Sequence, residues 1–549
     1  MAAVAPQTGR WRGYWGLFLI VAGALILRAV FASLPRVIRW DEPDYLWLGK
    51  SLLTGRGYTI NGVPELHYTP LFPILAGAIY VLTGNPELGS AFWYVLLGAL
   101  VVVPVYFVAQ RFYGRRVATL SAVLVAFFPG LSSAILYWGT MTEPLFIFLV
   151  CCALWLAVIA LEEDKLWAYA ALGGVLALAY LARPEGIVWW GVWSALVLGV
   201  RLAQRRLFRW ATLARLGIYL AVFILVAAPY AVYMHDHTGK WLVTGKLSIT
   251  YDIGEAVLRR DPVLYDQVTA SLDSESGEIL WWSNKRFERG LWDILREDPA
   301  AFLARMGRNV QQMRAAVFSS LIFPPFLLAP VVLAWFRQPW NRRRLLHEAL
   351  LVGAGLPVLA FLPFHVEVRF FSPIFPILLI WLAAGLWDLG AWFGETLAHW
   401  RPGQDPAQEA RWRGGLVAAL ALLLALYWGV VHGRTITAGM QDLSYAHKMV
   451  GLWLKEHTPP DAVIMSRDLA VSLYAERGFV ASPRADYATY LAYARRKGAT
   501  HLLVDERELR VLRPHLAFLL DETNPPPELE PVITMVDGRG RTIVYRLKG

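Results

Sequence analysis

The stretch Arg39-Trp40-Asp41-Glu42-Pro43-Asp44-Tyr45 places three carboxylates within four positions. A carboxylate can take a proton from a hydroxyl, pair with a cation or cap a helix. Neighbouring residues on a regular backbone point different ways, so Asp41 and Glu42 are expected to play different parts. Pro43 lacks an N–H and suits a first helical turn, which puts Asp41 or Glu42 at a helix N-terminus. The plain alternative is a pair of surface caps favoured by the helix dipole. Four further polar groups stand beside long apolar runs: His67-Tyr68-Thr69-Pro70, Thr142-Glu143-Pro144, Arg183-Pro184-Glu185 and His365-Val366-Glu367-Val368-Arg369. Each has a dull explanation taken singly. Glu143 could cap its helix, Arg183 could pair with Glu185, Arg369 could reach out of the bilayer, and His67 could satisfy a turn. Charges at such places are costly unless they meet water or a partner, so their recurrence suggests a wet cavity.

The elements that must position these residues are membrane helices. The chain is 57% hydrophobic and only 17% charged, with a mean hydropathy of +0.43. That is too apolar for a soluble domain, and the apolar residues come in runs near span length. Many of the 25 tryptophans stand near the ends of those runs, as an interfacial belt requires. About eleven spans are expected, near 14–34, 89–110, 117–137, 142–161, 167–182, 186–201, 213–234, 316–336, 346–364, 370–390 and 414–433. The net charge of +10 does not point to nucleic acid, because the basic residues sit in short loops on one side. Those loops hold Arg10 and Arg12, Arg111, Arg115 and Arg116, Lys165, five arginines between 201 and 215, Arg337 with Arg342–Arg344, and Arg401, Arg411 and Arg413. By the positive-inside rule that side and the N-terminus are cytoplasmic, and the Asp41 segment is extracytoplasmic. No small-residue cleavage pattern follows the first run, which therefore reads as an uncleaved anchor. Cys151 and Cys152 adjoin within an apolar run and make no disulfide framework.

Three larger pieces then fall outside. Residues 35–88 contain Leu71–Leu82, an apolar helix too short to span and entered through Pro70 and Pro73. Residues 235–315 form a polar loop with Trp281, Trp282 and Trp292, whose 252–300 portion reads as amphipathic helices or a lid. Residues 434–549 are long enough for a small domain of their own. There Met440–Lys455 and Tyr487–Lys497 read as helices, and Ala462–Ser466, Gly478–Ala481 and Thr500–Asp505 as short buried strands. The fold class is thus a polytopic α-helical membrane domain over 1–433 with a C-terminal extracytoplasmic α/β domain over 434–549. No repeat, phosphate-binding loop or dinucleotide fingerprint accompanies it.

The order Arg39-Trp40-Asp41-Glu42-x-x-Tyr45, Gly55-Arg56-Gly57-Tyr58 and Pro70-Leu71-Phe72-Pro73 resembles the first outer loop of the GT-C glycosyltransferases. Nearest are glycosyltransferase family 39, the protein O-mannosyltransferases and the lipid A aminoarabinose transferases. Thr142-Glu143-Pro144, Arg183-Pro184-Glu185 and Glu367-x-Arg369-Phe370-x-x-Pro373-x-x-Pro376 follow in the same order, so the resemblance covers roughly residues 14–390. It implies transfer of a sugar from a polyprenyl-phosphate donor to an acceptor at the outer face of the membrane. A polyprenyl phosphate leaves readily; cations must meet its growing charge, and the acceptor hydroxyl needs a base. The resemblance implies inverting displacement with Asp41 as base, Glu42 and Glu143 orienting base or acceptor, and Arg183 and Arg369 holding phosphate. Tyr45, His67, Tyr68, Lys50, His365, Glu367, Arg36 and Arg39 are further candidates for substrate binding. No His/Cys cluster has metal-ligand spacing, and no cofactor is required, although a carboxylate-held divalent metal is compatible with the chemistry. The partners implied are the lipid-linked donor, membrane lipids and an acceptor that is protein, lipid or glycan. The expected location is the plasma (inner) membrane. The rival readings are another lipid-linked sugar enzyme, such as a polymerase or ligase, and a lipid-sugar transporter. A transporter would place its charges mid-span and carry weak internal symmetry, which this chain lacks.

Overall fold

The computed structural model describes residues 14–287, 289–336, 339–400, 406–441 and 443–548. Of the basic-loop residues named above, Arg10, Arg12, Arg337 and Arg401 lie outside the described residues. Among the described residues, eight helices are long and apolar enough to cross a membrane. They are Trp15–Ser33, Pro86–Tyr113, Glu143–Glu163, Gly186–Ala203, Trp210–Thr238, Arg342–Phe361, Val368–Trp400 and Pro406–Gln441. The remaining three expected ranges hold shorter helices, Arg115–Phe127, Leu166–Ala182 and Leu328–Phe336. Proline explains most of the shortening. Pro129 ends the third range early, because the residue before it is pushed to extended backbone (Phe128 φ −65°, ψ 122°). Pro324 and Pro325 separate Pro299–Val317 from Leu328–Phe336. Pro104 cannot donate to the Leu100 carbonyl, so the second span loses one ladder bond near Val101 while its backbone stays helical (φ −51°, ψ −32°).

The helical layer packs Leu166–Ala182 against both Glu143–Glu163 and Trp210–Thr238. Residues from the basic loops meet at one end of it, where Arg111, Arg343 and His347 converge on Glu162, and Arg201 and Arg215 on Asp164. The polar turns of 36–42, 139–143, 183–185 and 365–369 meet at the other end. Within residues 35–88, Glu42–Leu53 and Leu71–Thr83 cross in close contact. Gly49 and Gly77 make that approach possible: a Cβ on Gly49 would stand 1.9 Å from the Pro73 carbonyl oxygen. This crossing fixes the helix that carries Asp41 and Glu42.

The last long helix continues past residue 433 to Gln441, and Tyr445–His457 opens the C-terminal domain. The domain is a five-stranded sheet in the order Gly478–Ala481, Val463–Ser466, His501–Asp505, Gly540–Leu547, Leu529–Asp537. The first three strands are parallel and match the expected ones to within a residue. The last two form an antiparallel hairpin that periodicity did not reveal. The domain docks on residues 35–88. Asn61 bonds Tyr493 at 2.9 Å and the Ala481 N–H at 3.1 Å, and the Tyr474 hydroxyl accepts from the Ile38 N–H at 3.0 Å.

Candidate active site

Trp40 has a left-handed φ of 58°, a conformation costing roughly 1–2 kcal/mol for an L-residue, and it turns the chain into helix Glu42–Leu53. Asp41 takes the N-cap position of that helix but makes no side-chain capping bond. Its carboxylate instead meets Arg369 at 3.3 Å and stays 32% exposed. Glu42 points the other way and is fully buried. It accepts from Arg36, from the Ser90 hydroxyl at 2.5 Å and from the Arg39 N–H at 3.3 Å. Gly139 makes room for it, since a Cβ there would stand 2.5 Å from Glu42 Oε2. The two neighbours therefore differ: one acid is closed into protein, the other is open.

Glu143 opens helix Glu143–Glu163, with Pro144 in its first turn. It pairs with Arg183, which also donates to the Thr142 hydroxyl at 3.3 Å and meets Glu185 at 3.4 Å. Arg369 is held by Glu367 at 2.5 Å, and His365 meets the same carboxylate at 3.4 Å. Burial pushes the Glu367 carboxyl up, but Arg369 and His365 outweigh it and hold it down at about 2. Both guanidinium groups lie near the Phe370 ring, Arg183 at 5.4 Å and Arg369 at 5.1 Å. Helix Val368–Phe371 thus sets the spacing of two cations that are 186 residues apart in sequence. Glu143 and Arg369 border a cavity of about 310 Å³ whose other walls include Trp138, Met141, Ile147, Leu321, Ile322 and Val368. A charged rim thus adjoins a largely apolar hollow.

The other expected residues divide. Tyr45 is buried and packs edge-on against Tyr68 at 5.1 Å and Phe72 at 5.2 Å. Tyr68 donates to Asp44 at 3.1 Å, and His67 lies against the Trp281 ring at 4.4 Å. Burial, reinforced by Lys246 and Arg286, drives the His67 imidazole well below its ordinary range, so it is neutral at pH 7. Lys50 is not brought to this cluster. It donates to Tyr80 at 3.2 Å on the far part of its helix.

Three participants were not among the expected site residues: Asp44 stands in the acidic stretch itself, while Lys246 and Glu65 carried no signal beyond being polar. Lys246 lies over Tyr68 at 5.8 Å, and burial lowers its ammonium while Glu185 pulls it back up. Asp44 is pushed well above the usual carboxylate range by burial and then by the charges of Asp41 and Glu65. Glu65 is fully buried, accepting from the His67 and Tyr68 N–H groups and from Trp282. Among the described residues no group of three or more His, Cys, Asp or Glu side chains is arranged to hold a metal ion. Asp41, Glu143 and Glu367 are each engaged by an arginine.

A family model described as dolichyl-phosphate-mannose-protein mannosyltransferase matches residues 67–233. No curated protein matches the chain by sequence. Among solved structures the chain is similar to ArnT from Cupriavidus metallidurans bound to undecaprenyl phosphate. That likeness has a TM-score of 0.58 and 14% identity, and covers 97% of this chain and 98% of that one. It is also similar to the oligosaccharyltransferase AglB from Archaeoglobus fulgidus in complex with an inhibitory peptide and a dolichol-phosphate. There the TM-score is 0.54 at 13% identity, over 97% of this chain and 74% of that one. A further structure of the Archaeoglobus fulgidus oligosaccharyltransferase, in complex with Zn and sulfate, aligns with a TM-score of 0.53 at 14% identity, over 97% of this chain and 73% of that one. With its long apolar helices and small C-terminal sheet, the chain has the overall GT-C fold of these solved structures.

Proposed function

We propose that this protein transfers a sugar from a polyprenyl-phosphate donor to an acceptor at the extracytoplasmic face of the plasma membrane, by inverting displacement. The observation that carries this reading is the cluster at one end of the helices. A part-exposed Asp41 meets Arg369, which shares the Phe370 ring with Arg183 and borders an apolar cavity together with Glu143. The relatives support the donor class, since one is bound to undecaprenyl phosphate and another to a dolichol-phosphate. The one-sided basic loops support a cytoplasmic N-terminus and an extracytoplasmic cluster.

In this reading Arg369 and Arg183 hold the donor phosphate, with Lys246 within reach of the same charge. Asp41 accepts the proton of an acceptor hydroxyl as its oxygen attacks the anomeric carbon. The bond from that carbon to the phosphate oxygen breaks, and the arginines meet the charge that develops there. The proton ends on Asp41, and polyprenyl phosphate leaves as the anion. Glu42 and Glu143 act at one remove. Glu42 fixes the turn behind Asp41 through Arg36, and Glu143 fixes Arg183. Both products are balanced without a general acid, because the phosphate is already a good leaving group.

The test is to give the purified, detergent-solubilised protein a panel of polyprenyl-phosphate sugars and candidate acceptors and to measure released polyprenyl phosphate. Release dependent on donor and acceptor supports the reading. No release from any lipid-linked sugar, with the protein folded, would overturn it.

A further inference from the structure

The transfer reaction makes no use of Arg28. This residue stands in the first long helix, Trp15–Ser33, about 7.5 Å along the axis from the end that leads into the Asp41 turn. It is fully buried, and it lines the cavity of about 310 Å³ that Glu143 and Arg369 border. Its Nη1 donates to the Ala126 carbonyl at 2.9 Å and to the Ala24 carbonyl at 3.3 Å. Neither Nε nor Nη2 has an acceptor among the described residues, and no carboxylate there lies within 4 Å of the guanidinium. Gly98, also on the cavity wall, leaves room for the side chain: a Cβ there would stand 2.8 Å from Arg28 Nε.

Other buried arginines of the spans are compensated. Arg201 meets Asp164 at 2.6 Å, and Arg344 meets Glu348 at 3.7 Å. The cavity offers Arg28 no such partner. Among the described residues Glu143 is the one carboxylate on its wall, and Arg183 holds it. Arg369, the second cation of the wall, is held by Glu367 and Asp41. Stapling the first helix to the Ala126 carbonyl needs an N–H and no charge. A charge closed into a span without a counter-ion is costly, so its presence points to an anion that arrives from outside the chain. The planar guanidinium fork suits an oxyanion that offers two oxygens. The rest of the wall is largely apolar, with Ile147, Leu321 and Ile322 on it. Leu321 is 42% exposed, so the apolar side of the hollow reaches the surface of the helical layer.

We propose that the cavity is a second phosphate site, in which Arg28 binds the phosphate of a lipid whose chains leave past Leu321. The site is separate from the donor phosphate assigned to Arg369 and Arg183, and it does not rest on the transfer reaction. The Nε and Nη2 N–H groups donate to phosphate oxygens, and the phosphate supplies the charge that Arg28 lacks. Ile147 and Ile322 lie against the apolar part of the lipid. One hollow thus receives two phosphates, one at Arg369 and one at Arg28.

The test is a calorimetric titration of the full-length, detergent-solubilised protein with dihexanoylphosphatidic acid, in the absence of any sugar donor. Inorganic phosphate and dihexanoylglycerol, which lacks the phosphate, are titrated in parallel. The parent protein should bind two equivalents of the lipid phosphate. Arg28→Gln and Arg369→Ala should each weaken a different one by about 10–100-fold, the range of a hydrogen bond to a charged group, and the double variant should weaken both. Arg28→Lys should recover only part, because a point charge replaces a fork. Where Arg28→Gln does not fold, Arg28→Lys takes its place and should weaken one equivalent alone. A single equivalent in the parent, or two unchanged equivalents in the Arg28 variant, would overturn the proposal. Inorganic phosphate binding as tightly as the lipid would assign the site to a free anion and overturn the lipid occupant. Dihexanoylglycerol binding as tightly would overturn the role of the charge. No sugar transfer is read, so a protein without transferase activity still decides the matter.

Discussion

Asp41→Asn and Glu42→Gln are near-isosteric changes one residue apart, and the structure assigns them opposite consequences. Asp41 meets Arg369 at 3.3 Å and is 32% exposed, so water screens the pair and its loss should cost under about 1 kcal/mol of stability. If Asp41 is the base, the rate falls by about 10²–10⁴-fold, roughly 2.7–5.5 kcal/mol of barrier. Glu42 is fully buried against Arg36, which is itself only 12% exposed. Glu42→Gln leaves that guanidinium without its counter-charge, and breaking a buried pair typically costs about 3–5 kcal/mol. The expected pattern is a stable, slow Asp41→Asn beside a destabilised Glu42→Gln whose surviving folded fraction turns over. The assay is single-turnover transfer at saturating donor, run beside thermal unfolding in the same detergent. A near-parental Asp41→Asn beside a stable but inactive Glu42→Gln would exchange the two roles. Parental rates in both would remove the carboxylate mechanism. An acceptor that is itself a phosphate needs no base, and the Asp41→Asn loss would then not be relieved by raising the pH.

Arg369→Ala should weaken donor binding and turnover together by about 10–100-fold, the range of a hydrogen bond to a charged group, as read by donor titration and single turnover. Arg369→Lys should recover only part, because a point charge replaces a fork; a parental Arg369→Ala would exclude the phosphate role. In the C-terminal domain His447 sits between Asp468 at 2.9 Å and Asp505 at 3.1 Å. Burial opposes its charge, but the two carboxylates raise it to about 10. A raised pKa contributes stability that is fully present below the unfolded value of roughly 6.5 and is lost as pH climbs to about 10. Unfolding measured across that interval should therefore show falling stability that His447→Gln flattens; an unchanged slope would count against the charged bridge. A cysteine at exposed Ser274 or Asn524, in a variant lacking Cys151 and Cys152, should label with an impermeant reagent in intact cells. Labelling only after lysis would reverse the orientation.

The divergence of Asp41 and Glu42 was legible because adjacency alone forbids a shared direction. Pro43 likewise announced the helix start. The ends of several spans were less legible: a hydropathy window averages over Pro129 and Pro324, although the preceding helices stop short of both. Lys50 lies outside every quoted motif, on the same helix as Glu42 but toward its other end. Nine residues along a helix is about 13.5 Å, which carries it away to Tyr80. The hairpin of Leu529–Asp537 and Gly540–Leu547 was missed since its first strand is mostly half-buried and its residues do not alternate cleanly. Contacts such as Asp41–Arg369, Lys246–Tyr68 and Asp266–Arg513 join distant parts of the chain. Only the first pair lay in segments singled out by the resemblance to known transferases. The other two depend on how the loop 235–315 folds back, which no local pattern encodes.

The central claim is tested most directly by sided reconstitution. The protein is placed in proteoliposomes of one orientation, with a labelled polyprenyl-phosphate sugar confined to one leaflet, and released polyprenyl phosphate is counted with acceptor present. Donor in the leaflet facing the C-terminal domain should be consumed, and Asp41→Asn in the same vesicles should abolish nearly all of that release. Consumption only from the leaflet facing the basic loops, or equal release by Asp41→Asn, would contradict it.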